Sequence, residues 1–312
     1  TVNNFTPGLI SASQTICEGD TPAALTATAP AGDGAFTFQW QDSPDGATFT
    51  DIGGATTATY SPGALTADTW YRRMVTSTLN GVPCTEETNA IRITVNNFDP
   101  GSIGSDQTIC ENTAPAAITS VTPSGDGVFT YKWYSSADGV TFAVIPGAVS
   151  ETYSPGLLSA DTWYRREVTS TLNLKQCVET TNDVRITVNN FLPGSIGSDQ
   201  TICEGVVPAA LTSVTPTGDG AFTYQWKESS DGILFTNIAG ATLETFAPPA
   251  LTADTWYKRE VTSTLNGTPC IEETNLVRIT VINFAPGSIS ADQTICEGTA
   301  PAAFTSVAAT GD

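Results

Sequence analysis

Seven cysteines are the residues whose spacing in this sequence most clearly indicates chemistry. Six form three pairs with members 67 residues apart, and Cys296 is left over; the pairs are Cys17 and Cys84, Cys110 and Cys177, and Cys203 and Cys270. Such regular pairs are typical of disulfide bonds in an oxidising compartment. We therefore expect one disulfide within each pair, with reduced thiols as the alternative. A nucleophilic cysteine would need a histidine base, and the chain has no histidine.

Three tryptophans could contact a carbohydrate, namely Trp70, Trp163 and Trp256. Each precedes a tyrosine, so strand alternation places the tryptophan on the opposite strand face. Arg72, Arg165 or Lys258 follows two residues later. An exposed tryptophan beside a cation can stack on a sugar ring. The alternative is that the ring packs on the basic side chain or under a loop.

Arg73, Arg166 and Arg259 share strand parity with a core tyrosine and valine, so they should point toward the core. A buried arginine needs a carboxylate or carbonyl partner. The following segment offers carboxylates, which are Glu86, Glu87, Glu179, Glu272 and Glu273.

Aspartates at three positions recur along the chain, the first set being Asp33, Asp45 and Asp68. Calcium binding requires six to eight converging oxygen atoms, and the sequence contains no D-x-D-x-D run. We therefore expect these aspartates to cap turns. A calcium site involving Asp99, Asp106 or Glu111 is the alternative; we expect no metal and no cofactor.

The composition excludes several function classes. The chain has 32 Asp+Glu against 12 Lys+Arg and a formal net charge of −20, so it cannot supply a basic patch for nucleic acid. No apolar run approaches the ~20 residues of a membrane span. Carboxylate pairs recur with the period of the sequence, which argues against a unique glycosidase site. We therefore do not expect an enzyme.

A period of 93 residues organises the whole chain. Thr-Val-Asn-Asn-Phe occurs at residues 1–5, 94–98 and 187–191, and returns as Thr-Val-Ile-Asn-Phe at 280–284. A unit of this length suits one small sandwich domain. We expect repeat one at 1–98, repeat two at 99–191, repeat three at 192–284 and a truncated fourth repeat at 285–312. We interpret the chain as an excerpt from a longer array.

Each repeat has the pattern of short β-strands. Phe36, Phe38 and Trp40 alternate with polar residues, which indicates a half-buried strand. Further strands are predicted from Trp70 to Val75 and from Ile91 to Val95. No segment has a helical period of useful length, so the predicted fold class is all-β.

The spacing of Leu65, Thr69, Tyr71 and Val75 resembles the E–F corner of fibronectin type III and immunoglobulin-like sandwiches. The longer series of motifs, from Gln-Thr-Ile-Cys-Glu to Thr-Trp-Tyr-Arg-Arg, is similar to tandem Ig-like repeats of Bacteroidetes surface proteins. Those include large gliding-motility and adhesion proteins exported by the type IX pathway. The resemblance implies Ig-like β-sandwiches in an elongated rod, a corner tyrosine whose hydroxyl bonds to the backbone, and a cell-surface or secreted location.

The Ig-like placement also opens a second disulfide pattern. It puts Cys17 and Cys84 at opposite ends of one domain, and brings Cys17 closer to Cys177 of the next. Disulfide bonds between repeats are therefore the alternative to bonds within repeats, and they would be Cys17–Cys177 and Cys110–Cys270.

Three functions remain open from the sequence. The first is a stalk segment of a filamentous adhesin, whose partners are the neighbouring repeats of the same chain. The second is a set of weak glycan-binding modules that act through avidity. The third is lateral assembly with other adhesin chains through strand edges, which the negative charge opposes at low salt.

Overall fold

The computed structural model describes residues 1–311. In this part of the chain the regular structure is entirely β, and it contains no helix that could cross a membrane. The residues form two compact units. The first contains Thr1–Asp106, Ala116–Pro155 and Thr162–Arg185; the second contains Gln107–Pro115, Gly156–Asp161 and the residues from Ile186 onwards.

Repeat one lies within the first unit and contains eight strands. They are β1 (Phe5–Thr6), β2 (Gln14–Cys17), β3 (Ala31–Gly32), β4 (Ala35–Ser43), β5 (Thr50–Asp51), β6 (Thr69–Leu79), β7 (Val82–Glu87) and β8 (Ile91–Asn96). The main sheet has the order β2-β8-β6-β4-β5, with β7 also paired to β6. All neighbours are antiparallel except β2 and β8, which are parallel.

Strands β7 and β8 pair with different halves of the same edge of β6. The turn Asn80-Gly81 has positive φ at both residues, as a two-residue hairpin requires, and leads from β6 into β7. Strand β8 then pairs with the other end of β6, in the register Tyr71 opposite Ile91. The hairpin tip of each repeat therefore extends beyond the part of the sheet that β8 completes.

A second, smaller sheet covers the main one. Phe5 and Thr6 pair with Gly32 and Ala31, and the same register continues to the bridge between Ile10 and Ala27. Leu25 then bridges Tyr60. The side chains between the sheets form the core, which comprises Ile10, Ile16, Leu25, Trp40, Ala55, Tyr71, Ile91, Ile93 and Val95.

Repeat two follows the same plan. Its strands are β9 (Phe98–Asp99), β10 (Ser102–Ile103), β11 (Gln107–Cys110), β12 (Ser120–Val121), β13 (Ser124–Gly125), β14 (Val128–Ser136), β15 (Ala143–Val144), β16 (Thr162–Leu172), β17 (Lys175–Thr180) and β18 (Val184–Asn189). In the first unit, β14 pairs with β15 and β16, β16 with β17, β9 with β13 and β10 with β12. Phe98, expected at the end of repeat one, thus pairs with Gly125 of repeat two.

The second unit contains the parallel pair β11 and β18 and all of repeat three. The strands of repeat three are β19 (Phe191–Leu192), β20 (Ser195–Ile196), β21 (Gln200–Cys203), β22 (Ser213–Val214), β23 (Thr217–Gly218), β24 (Ala221–Ser229), β25 (Thr236–Asn237), β26 (Thr255–Leu265), β27 (Thr268–Glu273) and β28 (Val277–Ile282). Its main sheet has the order β21-β28-β26-β24-β25 around Trp226 and Tyr257. Four short strands follow: β29 (Phe284–Ala285), β30 (Ser288–Ile289), β31 (Ser306–Val307) and β32 (Thr310–Gly311).

This strand order defines an immunoglobulin-like β-sandwich. The short strand β2 runs parallel to the last strand, β8, Trp40 of β4 fills the core, and the corner tyrosine Tyr71 lies on β6 beside β8. The predicted all-β, tandem Ig-like fold is therefore confirmed, as are the strands expected at Phe36–Trp40, Trp70–Val75 and Ile91–Val95.

Candidate functional site

Disulfide bonds join consecutive repeats. Cys17, the last residue of β2, is bonded to Cys177 on β17, with their Cα atoms 5.5 Å apart. In the second unit, Cys110 of β11 is bonded to Cys270 of β27 with the same Cα separation. Because such bonds persist in oxidising environments, the two disulfides indicate an extracellular protein.

The expected pairing within repeats is wrong. Cys17–Cys84, Cys110–Cys177 and Cys203–Cys270 do not form, and the alternative pairing between repeats is the one present. The reason is the hairpin geometry, which places the second cysteine at the extended tip and the first on the opposite end of the sandwich. Among residues 1–311, Cys84 is half-buried and Cys203 and Cys296 are exposed, all three without a disulfide.

Polar contacts surround the first disulfide. The Asn173 side-chain amide at the hairpin tip donates to the Thr15 hydroxyl at 3.2 Å. Lys175 lies 3.6 Å from a carboxylate oxygen of Asp20. We call the contact of β2 and Asn96 with the β16–β17 hairpin the first joint, and all its residues belong to the first unit.

An asparagine completes the first joint. Asn96 is 1% exposed; its Nδ2 donates to the Ser170 carbonyl at 3.2 Å, and its Oδ1 lies 3.0 Å from the Ser170 hydroxyl. Ser170 is fully buried near the C-terminal end of β16. A buried amide is costly unless it is hydrogen-bonded, so this pair specifies how the end of β8 meets the next repeat.

The second unit contains an equivalent second joint, formed by β11 and Asn189 with the β26–β27 hairpin. Asn266 donates to the Thr108 hydroxyl at 3.2 Å, and the Thr268 hydroxyl donates to the Thr108 carbonyl at 3.3 Å. Asn189 Nδ2 donates to the Ser263 carbonyl at 3.1 Å. The two joints therefore share the asparagine–threonine and asparagine–serine contacts, whereas Lys175 of the first joint corresponds to Thr268 of the second.

The joint asparagines were not predicted as functional residues. The available signal was the recurrence of Thr-Val-Asn-Asn-Phe, in which the first asparagine ends a strand, whereas the second lies outside it. Ile282 stands at the corresponding position of β28, and it is 38% exposed. An isoleucine therefore replaces, at the end of β28, the asparagine that ends β8 and β18.

The buried arginines bind carbonyl groups. Arg73 is 1% exposed and donates to the carbonyls of Ala58 at 2.8 Å, Pro7 at 3.1 Å and Thr28 at 3.4 Å. These carbonyls belong to three segments facing β6, so one guanidinium ties them together. Burial lowers the pKa of Arg73.

The predicted carboxylate partners are wrong. Glu86, Glu87, Glu179, Glu272 and Glu273 are exposed, and within the described chain none of them pairs with a buried arginine. Their strands, β7, β17 and β27, lie at the sheet surface, whereas the arginine points between the sheets. Arg166 and Arg259 donate instead to the carbonyls of Pro100 and Pro193, at 2.8 and 3.0 Å.

Repeat one differs from the others around this arginine. In repeat two, Arg166 also donates to the Ser120 hydroxyl, which lies 3.0 Å from a Glu151 carboxylate oxygen. We call this arginine–serine–glutamate series of hydrogen bonds the carboxylate relay, and Ser213 and Glu244 form it in repeat three. The corresponding positions of repeat one hold Ala27 and Ala58. The Arg73 charge therefore lacks the carboxylate relay of the other repeats.

The three candidate glycan-binding tryptophans are half-buried under basic side chains. The guanidinium carbon of Arg92 lies 5.0 Å from the Trp70 ring centroid, and Arg92 is held by Asp68. A Cβ atom at Gly46 would lie 2.9 Å from the Trp70 indole nitrogen, so the turn above the ring requires glycine there. Trp163 and Trp256 have the same contacts with Arg185 and Arg278, both at 5.0 Å.

The cation over each tryptophan differs from the predicted one. Arg72 lies 4.2 Å over Phe49 instead, and Arg165 and Lys258 cover Phe142 and Phe235. Arg72 and its equivalents do not cover the tryptophan ring. Each packs on a phenylalanine that follows the C-terminal end of the neighbouring strand, as Phe49 follows β4.

Of the recurring aspartates, Asp45 stabilises a turn, as predicted, whereas Asp33 and Asp68 accept the backbone N–H groups of the distant residues Asn4 and Val95. Asp45 Oδ1 accepts the backbone N–H groups of Thr48 at 2.9 Å and Ala47 at 2.8 Å, together with the Ser43 hydroxyl. These bonds lower the pKa of Asp45 from 3.8 to about 2. Asp99 and Asp106, named for the calcium alternative, accept backbone N–H groups of Gly101 and Arg185 at 2.7 Å. In residues 1–311 no group of three or more acidic or cysteine side chains could hold a metal ion.

The corner tyrosines act through packing. Tyr71 contacts Tyr60, which contacts Trp40, with ring centroids 5.9 and 5.8 Å apart. Burial raises the pKa of Tyr71 to about 12. The hydroxyl of Tyr257 in repeat three is buried without a hydrogen-bond partner, so the corner bond implied by the resemblance is absent there.

Comparisons with solved structures find tandem immunoglobulin domains at low identity. Three N-terminal domains of the Highly Immunogenic Outer Capsid protein of bacteriophage RB49 are 17% identical, with 89% of this chain and 99% of that chain covered and a TM-score of 0.41. The insect immune protein hemolin is 9% identical over 92% and 79%, with a TM-score of 0.29. The four N-terminal Ig domains of Dscam1 are 15% identical over 90% and 74%, with a TM-score of 0.28.

The sequence comparisons identify the repeat. A search of curated proteins finds no significant match. The family model of a domain of unknown function, DUF8696, matches residues 6–97, 99–190 and 192–283, which correspond to the three full repeats. The chain therefore belongs to the DUF8696 family and carries three consecutive copies of its domain.

Proposed function

We propose that this chain is a structural stalk segment of a repetitive, filamentous cell-surface adhesin. In this role the repeats extend a distal binding region away from the cell for attachment or gliding. The observation that carries the proposal is the disulfide between consecutive repeats, Cys17–Cys177 and Cys110–Cys270. A bond of this kind resists separation of neighbouring domains, which a spacer under load requires.

The joints support the same role. The asparagine–serine contact and the hairpin contact recur from one joint to the next, while no flexible Gly/Ser tether separates the repeats. The net charge of −20 favours a solvated surface and opposes collapse of copies onto one another. The resemblance to Bacteroidetes surface repeats motivates the proposed location on the cell surface.

A domain-exchange experiment tests this role. In the cell that makes the protein, residues 6–283 are replaced by three unrelated Ig-like domains of similar length. A spacer predicts that attachment survives the exchange, whereas in-frame deletion of the same residues reduces it. Antibody labelling of intact cells controls for export. Loss of attachment after the exchange, with normal export, would show that the repeats themselves bind a ligand.

Glycan binding is the alternative function. It would use Trp70, Trp163 and Trp256, yet the Arg92, Arg185 and Arg278 side chains lie over these rings and reduce the face open to a sugar. A glycan array with the full chain distinguishes the two functions. Binding that disappears when all three tryptophans are replaced by alanine would favour the glycan-binding function.

A further inference from the structure

The two disulfides are interlaced along the chain. In sequence order the bonded residues are Cys17, Cys110, Cys177 and Cys270, and each bond joins the first to the third or the second to the fourth. Neither bond closes a loop that lies inside or beside the other. Both bonds must therefore be considered together when the chain is pulled.

We propose that the interlaced bonds form a redundant, redox-controlled limit on how far the unfolded chain can be extended. Between Cys17 and Cys270 the backbone has 253 peptide links. With both bonds closed, the shortest covalent route crosses from Cys17 to Cys177, runs backwards to Cys110 and crosses to Cys270, which takes 67 links. At about 3.5 Å per residue, the limit falls from roughly 890 Å to roughly 230 Å.

The redundancy follows from the same routes. If either bond is removed, the shortest route through the remaining bond has 93 links. Losing the first bond therefore releases 26 links, about 90 Å, and losing the second releases a further 160 links, about 560 Å. One intact bond retains most of the restraint, so a single reduction event does not free the chain.

Pairing within repeats would behave differently. Bonds Cys17–Cys84, Cys110–Cys177 and Cys203–Cys270 would leave a route of 52 links, and each bond removed would release 67 links. Interlaced bonds release length in unequal steps, whereas bonds within repeats release it in equal steps. The pattern of release is therefore a direct measurement of the topology.

Reduction supplies the control. A dithiol such as dithiothreitol donates two electrons and two protons to one protein disulfide, giving two protein thiols and the cyclic disulfide of the reagent. Cys177 is 4% exposed, whereas Cys17 is partly exposed, so the reagent thiolate reaches the Cys17 sulfur first. The Cys177 thiolate then leaves, and the second reagent thiol resolves the mixed disulfide at Cys17.

Single-molecule force spectroscopy on the full chain, pulled from both ends, tests the limit. Cys84, Cys203 and Cys296 are replaced by serine throughout, to prevent exchange with the bonded cysteines. Three variants are compared with this background: Cys17→Ser/Cys177→Ser, Cys110→Ser/Cys270→Ser, and all four replacements. The measured quantity is the end-to-end length of the fully unfolded chain. It is compared between variants, so the length of the folded chain does not enter the comparison.

The expected result is an increase of about 90 Å for either two-residue variant and about 650 Å for the four-residue variant. The background in dithiothreitol should match the four-residue variant. The proposal is overturned if the unfolded lengths of the two two-residue variants differ by more than the length of a few residues. It is also overturned if the background, without reductant, already reaches the length of the four-residue variant. It deepens the proposed stalk role but rests on the bonds alone, so attachment in the domain-exchange experiment can fail without affecting it.

Discussion

Asn96, at the end of β8, and Ser170, near the C-terminal end of β16, bind each other through both the backbone and the side chain of the serine. Both residues are at most 1% exposed. A single amide therefore links the last strand of repeat one to the central strand of repeat two, and Asn189 and Ser263 repeat the arrangement in the second unit.

Removing this amide should loosen the first joint. We expect Asn96→Ala to lower local stability around Ser170 by about 1–3 kcal/mol, because Ser170 loses a partner inside a buried site. Hydrogen exchange of the β16 amides measures the effect. Asn97→Ala is the matched control, since Asn97 is the adjacent, exposed asparagine. Equal protection of β16 in both variants would contradict the role of Asn96.

Leu174 at the hairpin tip of repeat two should be destabilising. It has φ +66° and is 96% exposed, whereas repeats one and three have Gly81 and Gly267 at this position. A left-handed conformation costs a non-glycine residue about 1–2 kcal/mol. Leu174→Gly should therefore raise the free energy of unfolding of repeat two by about 1 kcal/mol, as measured by hydrogen exchange of β17.

The reciprocal change controls for loss of the leucine side chain itself. Gly267→Leu places the same side chain on the hairpin of repeat three, where φ is +81°, and should lower local stability by a similar amount. If both substitutions stabilise the hairpin, the conformational explanation is wrong.

The recurring turn aspartates should make the fold acid-sensitive. Hydrogen bonds lower the pKa values of Asp45 and Asp138 to about 2, and that of Asp231 also below its ordinary value. A folded pKa below the unfolded one contributes stability at pH above about 4, and this contribution is lost as the pH falls from about 4 to about 2. The melting temperature, measured by thermal unfolding at a series of pH values, should fall steeply across this range.

Replacing all three aspartates by asparagine should flatten that decline, because the amide oxygen can still accept the turn bonds without titrating. Replacing Glu18, Glu111 and Glu204 by glutamine removes the same charge from exposed side chains at equivalent positions. This control should retain the decline. A similar flattening in both variants would mean that net charge, and not the turns, governs the acid response.

The missing relay should make repeat one less stable around its buried arginine. Ala27→Ser together with Ala58→Glu rebuilds the contacts that Ser120 and Glu151 supply in repeat two. We expect a gain of about 1 kcal/mol, since hydrogen bonds to charged groups exceed neutral ones. Hydrogen exchange of β4 amides reports the change.

The single variants provide the comparison for this pair. Ala58→Glu alone adds an exposed carboxylate without the serine that connects it to Arg73, so its effect should be small. If the double variant only equals the sum of the two singles, the relay contributes nothing to repeat one.

The fold was largely predictable because its determinants are local. Phe36, Phe38 and Trp40 alternate with polar residues, and such a period allows only a strand with one face buried. The 93-residue period fixes the repeat without any structure. The spacing of Leu65 and Tyr71 was sufficient for the Ig-like resemblance, although the corner hydrogen bond that the resemblance implies is absent at Tyr257.

The partners of the site residues depended on tertiary structure. Cys17 is 67 residues from Cys84 and 160 from Cys177, and neither number indicates which sulfur atom lies within bonding distance. Strand parity correctly put Arg73 inside the sandwich, but only the course of the facing segments decides that carbonyls, and not Glu86 or Glu87, reach it.

The sequence by itself determined an acidic, histidine-free array of β-sandwiches with paired cysteines. The tertiary structure decided that those cysteines join different repeats and that Asn96 belongs to a joint. The physical reason is that alternation and turns act over a few residues, whereas a disulfide or a buried amide bond requires two distant segments to meet at one point in space.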